Sequence, residues 1–274
     1  MSKPTYIDGM PSATYHQHGA LGSTSLKTLA SRTPAHYKHE SENAIHKDAY
    51  DLGTAIHSIT LEGDESGIVE VDADSWRTKA AQEAKVEARA TGKVPMLAKD
   101  LRLARTIARA VMSHPSAAKL LTGHIAERSV FWDEDGLQLK CRPDALNDGK
   151  IIDLKSTINA DPRNFGKTAV DLGYFQSAAH YQDGMERLTG DTLPFLFILA
   201  EKSAPYLVSV VELDDEAIDY GRMMNSRAKN VYRECIETGT WPGYPETEQI
   251  SLPMWSIYQM NDLLGIDNDH EMVI

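Results

Sequence analysis

Two short strand-like runs, 125–132 and 137–145, are separated by Asp133-Glu134-Asp135-Gly136. A turn ending in Asp-Gly between two such runs is a strong β-hairpin signal. A third run, 150–155, follows the turn Asn147-Asp148-Gly149. Three strands this close in sequence pair most simply with one another, so the middle of the chain is expected to be sheet.

The period differs on either side. Leu52, Ala55, Ile56 and Ile59 follow i, i+3, i+4, i+7, which predicts an amphipathic helix over 49–61. Further helices are expected over 26–31 (with Ser23 and Ser25 as caps, stopped at Thr33-Pro34), 76–90 and 99–112. After the third strand a helical stretch runs over 161–188, broken near 171–173. Strands at 195–200 and 206–213 follow, and then a long helix over 214–237 with an acidic first turn. This order predicts an α/β (α+β) core, a mixed central sheet flanked by helices, with a helical N-terminal lobe. No linker interrupts it, so one domain is expected over 1–274: a helical lobe to about 122, a core over about 123–240 and a C-terminal segment over 241–274.

Composition narrows the class. Hydrophobic residues make up 42% and charged residues 25%, as in a globular protein rather than a disordered chain. No run approaches the roughly 18 apolar residues of a membrane span, so no membrane association is expected. The first ten residues have no apolar stretch of the kind a signal peptide carries. Two cysteines, Cys141 and Cys235, build neither a disulfide framework nor a CxxC metal site. The expectation is a reduced, cytoplasmic protein. The net charge of −12 argues against a general nucleic-acid coat but leaves room for one local basic groove.

The chemistry concentrates in Cys141-Arg142-Pro143-Asp144 and Asp153-Leu154-Lys155, eight residues further on. Asp153 and Lys155 are two apart on one strand, so they share a face. If that strand pairs through the Asn147-Asp148-Gly149 turn, Asp144 comes close to Asp153. Two hard carboxylates suit Mg²⁺ or Mn²⁺, and a lysine beside them can orient a water or offset transition-state charge. These are the parts for metal-assisted phosphodiester hydrolysis. Asp-x-Lys strings also occur as surface ion pairs. Here, however, Asp153 extends the apolar Ile151-Ile152, where an unpaired carboxylate would be costly.

The Arg-Pro-Asp and Ile-Ile-Asp-Leu-Lys-Ser-Thr strings resemble the PD-(D/E)XK nuclease signature in its RecB-like branch. Six blocks, STSLKTLASRTPAHY, DLGTAIHSITLE, KCRPDAL, IIDLKST, YFQSAAHYQDG and ISLPMW, stand in the order found in the exonuclease VIII (RecE) nuclease family and its phage relatives, from about residue 6 to about residue 258. The resemblance implies a PD-(D/E)XK, restriction-endonuclease-like core. It implies metal ligands at His57, Asp144, Asp153 and Leu154, with Asp144, Asp153, Lys155, Tyr181 and Gln176 as catalytic residues. The family places a Gln four residues before the Tyr; here that position is Ser177, and Gln176 stands one step earlier. Read alone, His57 also fits a core histidine. Glu62 lies about 140° around from His57 on a continued α-helix and is set aside as a co-ligand. Glu127 is a candidate supporting carboxylate or a surface residue.

Arg77, Lys79, Arg163 and Lys167, with Lys27 and Arg32, are candidate DNA contacts. The resemblance further implies Mg²⁺, replaceable by Mn²⁺ and present as two ions; double-stranded DNA ends as substrate, degraded from the 5′ end; a ring-shaped homo-oligomer; and a partner single-strand annealing protein. The alternatives are a RecB-like nuclease with single-strand or endonuclease preference, and an inactive DNA-binding module of the same fold.

Overall fold

The computed structural model describes residues 3–43 and 50–266. Two units are distinguished, Met1–Trp241 and Pro242–Ile274. In the first, a five-stranded mixed sheet runs in the order β10-β9-β8-β7-β4. Its strands are β4 (Ile125–Ala126), β7 (Ala145–Asn147), β8 (Lys150–Thr157), β9 (Phe195–Glu201) and β10 (Val208–Glu212). Only β8 and β9 are parallel; the other neighbours are antiparallel. A three-stranded antiparallel sheet joins β1 (Thr5–Ile7), β5 (Ser129–Glu134) and β6 (Leu137–Cys141). A parallel pair, β2 (Ile68–Val71) and β3 (Val94–Leu97), flanks α5 (Lys79–Ala90).

Alternation along β8 and β9 builds two cores. Ile151, Phe195, Phe197 and Leu199 pack with α2 (Ser23–Ser31), α8 (Pro162–Asp171), α9 (Tyr174–Thr189) and α10 (Asp215–Thr238). Ile152, Leu154, Ile198 and Ala200 pack with α4 (Asp51–His57), α6 (Ala98–Ser113) and α7 (Pro115–Leu121). The period-two pattern therefore feeds both faces of a sheet covered by helices on each side. α6 shows the matching helical period: Leu101, Ala104, Ile107, Ala108 and Val111 are its buried residues. α9 and α10 pack so closely that a Cβ on Gly221 would lie 2.4 Å from the Phe175 carbonyl oxygen.

The two expected hairpin strands are each split. The break after β4 falls at Glu127, whose φ is 53°. The break after β6 falls at Arg142-Pro143-Asp144, where proline has no N–H to give a ladder. The pairing survives the bend: Ala126 opposes Ala145 on one side and Val130 opposes Cys141 on the other, with Glu127 N–H donating to Asp144 O at 3.1 Å between them. One long hairpin thus leaves one sheet for the other, and its bend carries an acid on each strand.

Other differences are local. The helix expected over 49–61 is α4 followed by a π turn, Ser58–Glu62, with position 49 outside the described residues. The helix expected to stop at Thr33-Pro34 is followed at once by α3 (Pro34–Glu42), for which Pro34 is a first-turn residue. α1 (Ser12–Gln17) was not expected. The second unit holds α11 (Met254–Leu264), closed by Gly265 in the left-handed conformation. Among the described residues no helix is long and apolar enough to cross a membrane.

Candidate metal centre and active site

Register puts three acids abreast. The β4–β7 pairing, continued one step, sets Glu127 opposite Asp144. The β7–β8 pairing of Ala145 with Ile152 sets Asp144 opposite Asp153. Asp144 Oδ2 accepts the Leu154 N–H at 2.7 Å, which fixes its carboxylate against the sheet. From the other side comes His57, the last residue of α4. Its Nε2 lies 2.8 Å from Leu154 O and its Nδ1 lies 3.7 Å from Asp144 Oδ2. A carbonyl only accepts, so Nε2 carries a proton, and in the neutral ring Nδ1 is the nitrogen free to bind a cation beside the carboxylate. His57, Glu127 and Asp144 each offer one ligand atom, all within 4.8 Å of one another. One imidazole nitrogen and carboxylate oxygens fit a divalent cation such as Mn²⁺ or Mg²⁺.

Electrostatics agrees with that donor set. Burial, then the neighbouring Asp144, pushes Glu127 up to about 7, against the pull of Arg142, whose Nε is 2.5 Å from Glu127 Oε2. Asp153 is 5% exposed. Burial pushes it up to about 6; Lys155 opposes and Asp144 adds to the rise. Lys155 Nζ sits 2.5 Å from Asp153 Oδ2 as an ion pair. A divalent cation beside the row would offset the upward push that burial and Asp144 put on Asp153. Burial works against the Lys155 ammonium, but Asp153 and Asp144 outweigh it and hold Lys155 charged well above the usual lysine range.

Tyr181 lines the cleft, of about 290 Å³, together with His57, Glu62, Glu127, Arg142 and Asp144. Burial first, and then Tyr15 and Asp153, hold its phenol far above the usual range, so it stays protonated and can donate. Gln176 does not join it. It is 4% exposed, its Nε2 donating to Asn225 Oδ1 at 3.3 Å and its main-chain oxygen accepting from Asn225 Nδ2 at 2.9 Å. Helical geometry gives the reason: positions five apart are about 140° apart around the axis, so Gln176 and Tyr181 face different ways. Ser177 spends its hydroxyl on Gly173 O within the same helix, at 3.4 Å. The residue that shares the Tyr181 stripe is Tyr174, seven positions earlier; Lys155 Nζ lies 5.6 Å from the centre of its ring. Leu154, expected among the metal ligands, offers its carbonyl to His57 and its N–H to Asp144, and so acts in this geometry as the frame that orients both.

Two acids differ from the sequence expectation. The turn after His57 is a π turn, whose i→i+5 closure brings residues five apart onto one side, so Glu62 lines the same cleft as His57. Glu127 belongs to the ligand cluster itself. The hairpin turn at 133–136 held that information, because Glu134 opposite Leu137 counts back to Glu127 opposite Asp144.

Four of the expected DNA contacts are paired with carboxylates. Arg163 is held bidentate by Asp161, Lys167 is paired with Asp171, Lys79 with Glu83 at 3.7 Å and Arg32 with Glu40. Arg77 donates its main-chain N–H to Ser75 Oγ at 3.4 Å. Of the six, Lys27 alone turns toward the active site, its Nζ 5.9 Å from the centre of the Tyr174 ring.

The bent hairpin, the mixed sheet and the Pro-Asp, Asp-x-Lys pair define a PD-(D/E)XK-type domain. The chain belongs to the family described as PDDEXK-like domain of unknown function (DUF3799), matched over residues 22–251. No curated protein matches it. Among solved structures it is similar to a protein from Eubacterium rectale provisionally named an exonuclease, with a TM-score of 0.65 and 15% identity, covering 92% of this chain and 98% of that one. That likeness shows the fold. An alkaline exonuclease from Laribacter hongkongensis aligns over 68% of this chain and 96% of that one at 16% identity, with a TM-score of 0.29, too low to carry an argument.

Proposed function

We propose that the protein is a metal-dependent exodeoxyribonuclease that hydrolyses linear double-stranded DNA. The observation that carries this reading is the row Glu127, Asp144, Asp153 with His57 on one side and Lys155 on the other. His57 through Nδ1, Glu127 and Asp144 would hold a divalent cation, and Asp153, one step along the row, would complete a two-ion set with Asp144. Mg²⁺, with Mn²⁺ as substitute, would supply Lewis-acid stabilisation of the phosphoryl oxygens. Lys155, kept charged by its two acids, donates to an oxygen that gains negative charge at the reacting phosphate. Leu154 holds the imidazole and the Asp144 carboxylate in place through its main chain. Tyr181 presents a phenol O–H from the floor of the cleft.

The finer reading rests on the resemblance to exonuclease VIII: attack from the 5′ end, a 3′ single-stranded tail left for recombination, a ring-shaped homo-oligomer and a single-strand annealing partner. The test is digestion of duplexes labelled at the 5′ or the 3′ end, and of closed circles, with Mg²⁺ and with EDTA. Early loss of the 5′ label from linear DNA, intact circles and no reaction in EDTA are expected. Cut circles indicate an endonuclease; an untouched set of substrates in Mg²⁺ and Mn²⁺ overturns the enzymatic reading.

A further inference from the structure

A second pocket, also of about 290 Å³, opens beside Lys155 at the end of β8. Lys155, Ser156, Thr157, Asn159, Tyr174 and Lys202 contribute to its walls, and no carboxylate does. That is unexpected in a chain with 40 acidic and 28 basic residues. The nearest acids are otherwise engaged: Asp153 with Lys155, and Glu201 with the Ala160 N–H at 3.1 Å. At the pocket's edge stands Lys27, half-buried, whose Nζ donates at 3.3 Å to the carbonyl of Leu172, a wall residue, and lies 5.9 Å from the centre of the Tyr174 ring. Among the described residues neither Lys27 nor Lys202 has a carboxylate partner, whereas Lys79, Arg163 and Lys167 each have one.

The surroundings of Lys27 are built around it. Gly173 has a φ of +64°, and a Cβ there would lie 2.6 Å from Lys27 Cδ, so the glycine serves both the turn and the approach of the lysine. Gly173 is also the N-cap of α9, and it offers no side-chain acceptor to that sixteen-residue helix. The first N–H groups of α9 therefore begin beside the same wall, formed by Leu172 and Tyr174. Burial, and then the like charge of Lys155, push the Lys27 ammonium below its usual range, with Asp153 opposing. A half-buried cation next to another cation, holding one neutral carbonyl, lacks an anion.

We propose that this pocket seats a phosphate of the DNA strand adjoining the one being cleaved, held by Lys27 and Lys202 and by the first turn of α9. The inference rests on the nuclease reading and places a cationic phosphate contact next to its active site. A phosphate in this position would set the register of the strand against Asp153 and Lys155 without reading its bases. An internal diester and a terminal 5′-phosphate share the chemistry.

Equilibrium binding separates them. The probe is a fluorescent duplex oligonucleotide carrying either a 5′-phosphate or a 5′-hydroxyl, titrated in EDTA so that no strand is cut. Wild type, Lys27→Gln, Lys202→Gln, the double variant and a control at the exposed Lys119 of α7, Lys119→Gln, are compared across salt. Loss of one phosphate contact flattens the salt dependence, so between about 50 and about 200 mM salt the wild type should lose roughly 3.5-fold more affinity than the double variant. The control should follow the wild type. A flattening with both oligonucleotides assigns an internal phosphate, and one with the 5′-phosphate alone assigns the terminus; either supports the site. Wild-type affinity and slope in the double variant overturn it. Lys202 is exposed, so its single variant tests the site even if Lys27→Gln folds poorly. If the wild type binds neither oligonucleotide, the nucleic-acid reading fails, an outcome distinct from a double variant that binds like the wild type.

Discussion

Replacing Asp153 by Asn should make the metal-free protein more stable at pH 8. Asp153 is pushed from the usual 3.8 up to about 6, by burial first and with Asp144 adding to the rise. Lys155 attracts the carboxylate at 2.5 Å, yet the shift is upward, so burial and the second acid together outweigh that attraction. The rise from 3.8 to about 6 corresponds to about 3 kcal/mol at most by which ionised Asp153 lowers folding stability, and the attraction by which Asp153 holds Lys155 charged is set against that gain in the variant. The sign follows from proton binding: the folded state holds the proton more tightly than the unfolded chain. Wild-type stability from this group is therefore fully present below about pH 4 and lost as pH rises through about 6. Asparagine keeps the shape without the charge. At pH 8 in EDTA, Asp153→Asn should melt several degrees higher, with roughly 10 °C as the upper bound for a domain of this size. The gap should close between about pH 6 and pH 4. Thermal melts monitored by circular dichroism over that range give the answer. A variant less stable than wild type at pH 8, or a gap that does not change with pH, would refute the reasoning.

Three further outcomes are expected. Lys155→Ala should keep Mn²⁺ affinity by calorimetry but lose turnover in single-turnover cleavage, because an ammonium is no metal ligand and acts on the developing charge. His57→Ala should lose most of the Mn²⁺-induced rise in melting temperature seen in wild type, since ligand binding to the folded state stabilises it; an unchanged rise would make His57 a packing residue. Gly221→Ala should cost about 1–3 kcal/mol in denaturant unfolding, because its Cβ would meet the Phe175 carbonyl oxygen at 2.4 Å and the Ala179 Cβ at 2.9 Å, and neither neighbour can move without parting α9 from α10.

Much of the core was legible because its signals are local. The turns at 133–136 and 147–149 set the hairpins, the register of β7 and β8 followed from the second turn, and Asp153 and Lys155 share a face because strand period is two. What the sequence hid depends on distant partners or on departures from ideal geometry. Nothing local announces that the helix carrying His57 passes into a π turn, and so Glu62 was read at the wrong angle. The strands β2 and β3 are four residues each and pair only across α5. Gln176 was chosen for its residue type, whereas the turn of α9 decides that it meets Asn225 and that Tyr174 aligns with Tyr181. Carboxylates one turn or two residues away pair with Lys79, Lys167 and Arg163, a local neighbourhood that residue type alone does not convey.

The most direct measurement is single-turnover cleavage of an end-labelled linear duplex by wild type and by Asp144→Asn and Asp153→Asn, in Mg²⁺, in Mn²⁺ and in EDTA. Wild type should cut in either metal and not in EDTA, and both variants should be inactive while folding as wild type does. Cleavage by wild type in EDTA, or undiminished cleavage by either purified variant, would contradict a metal centre built on Asp144 and Asp153.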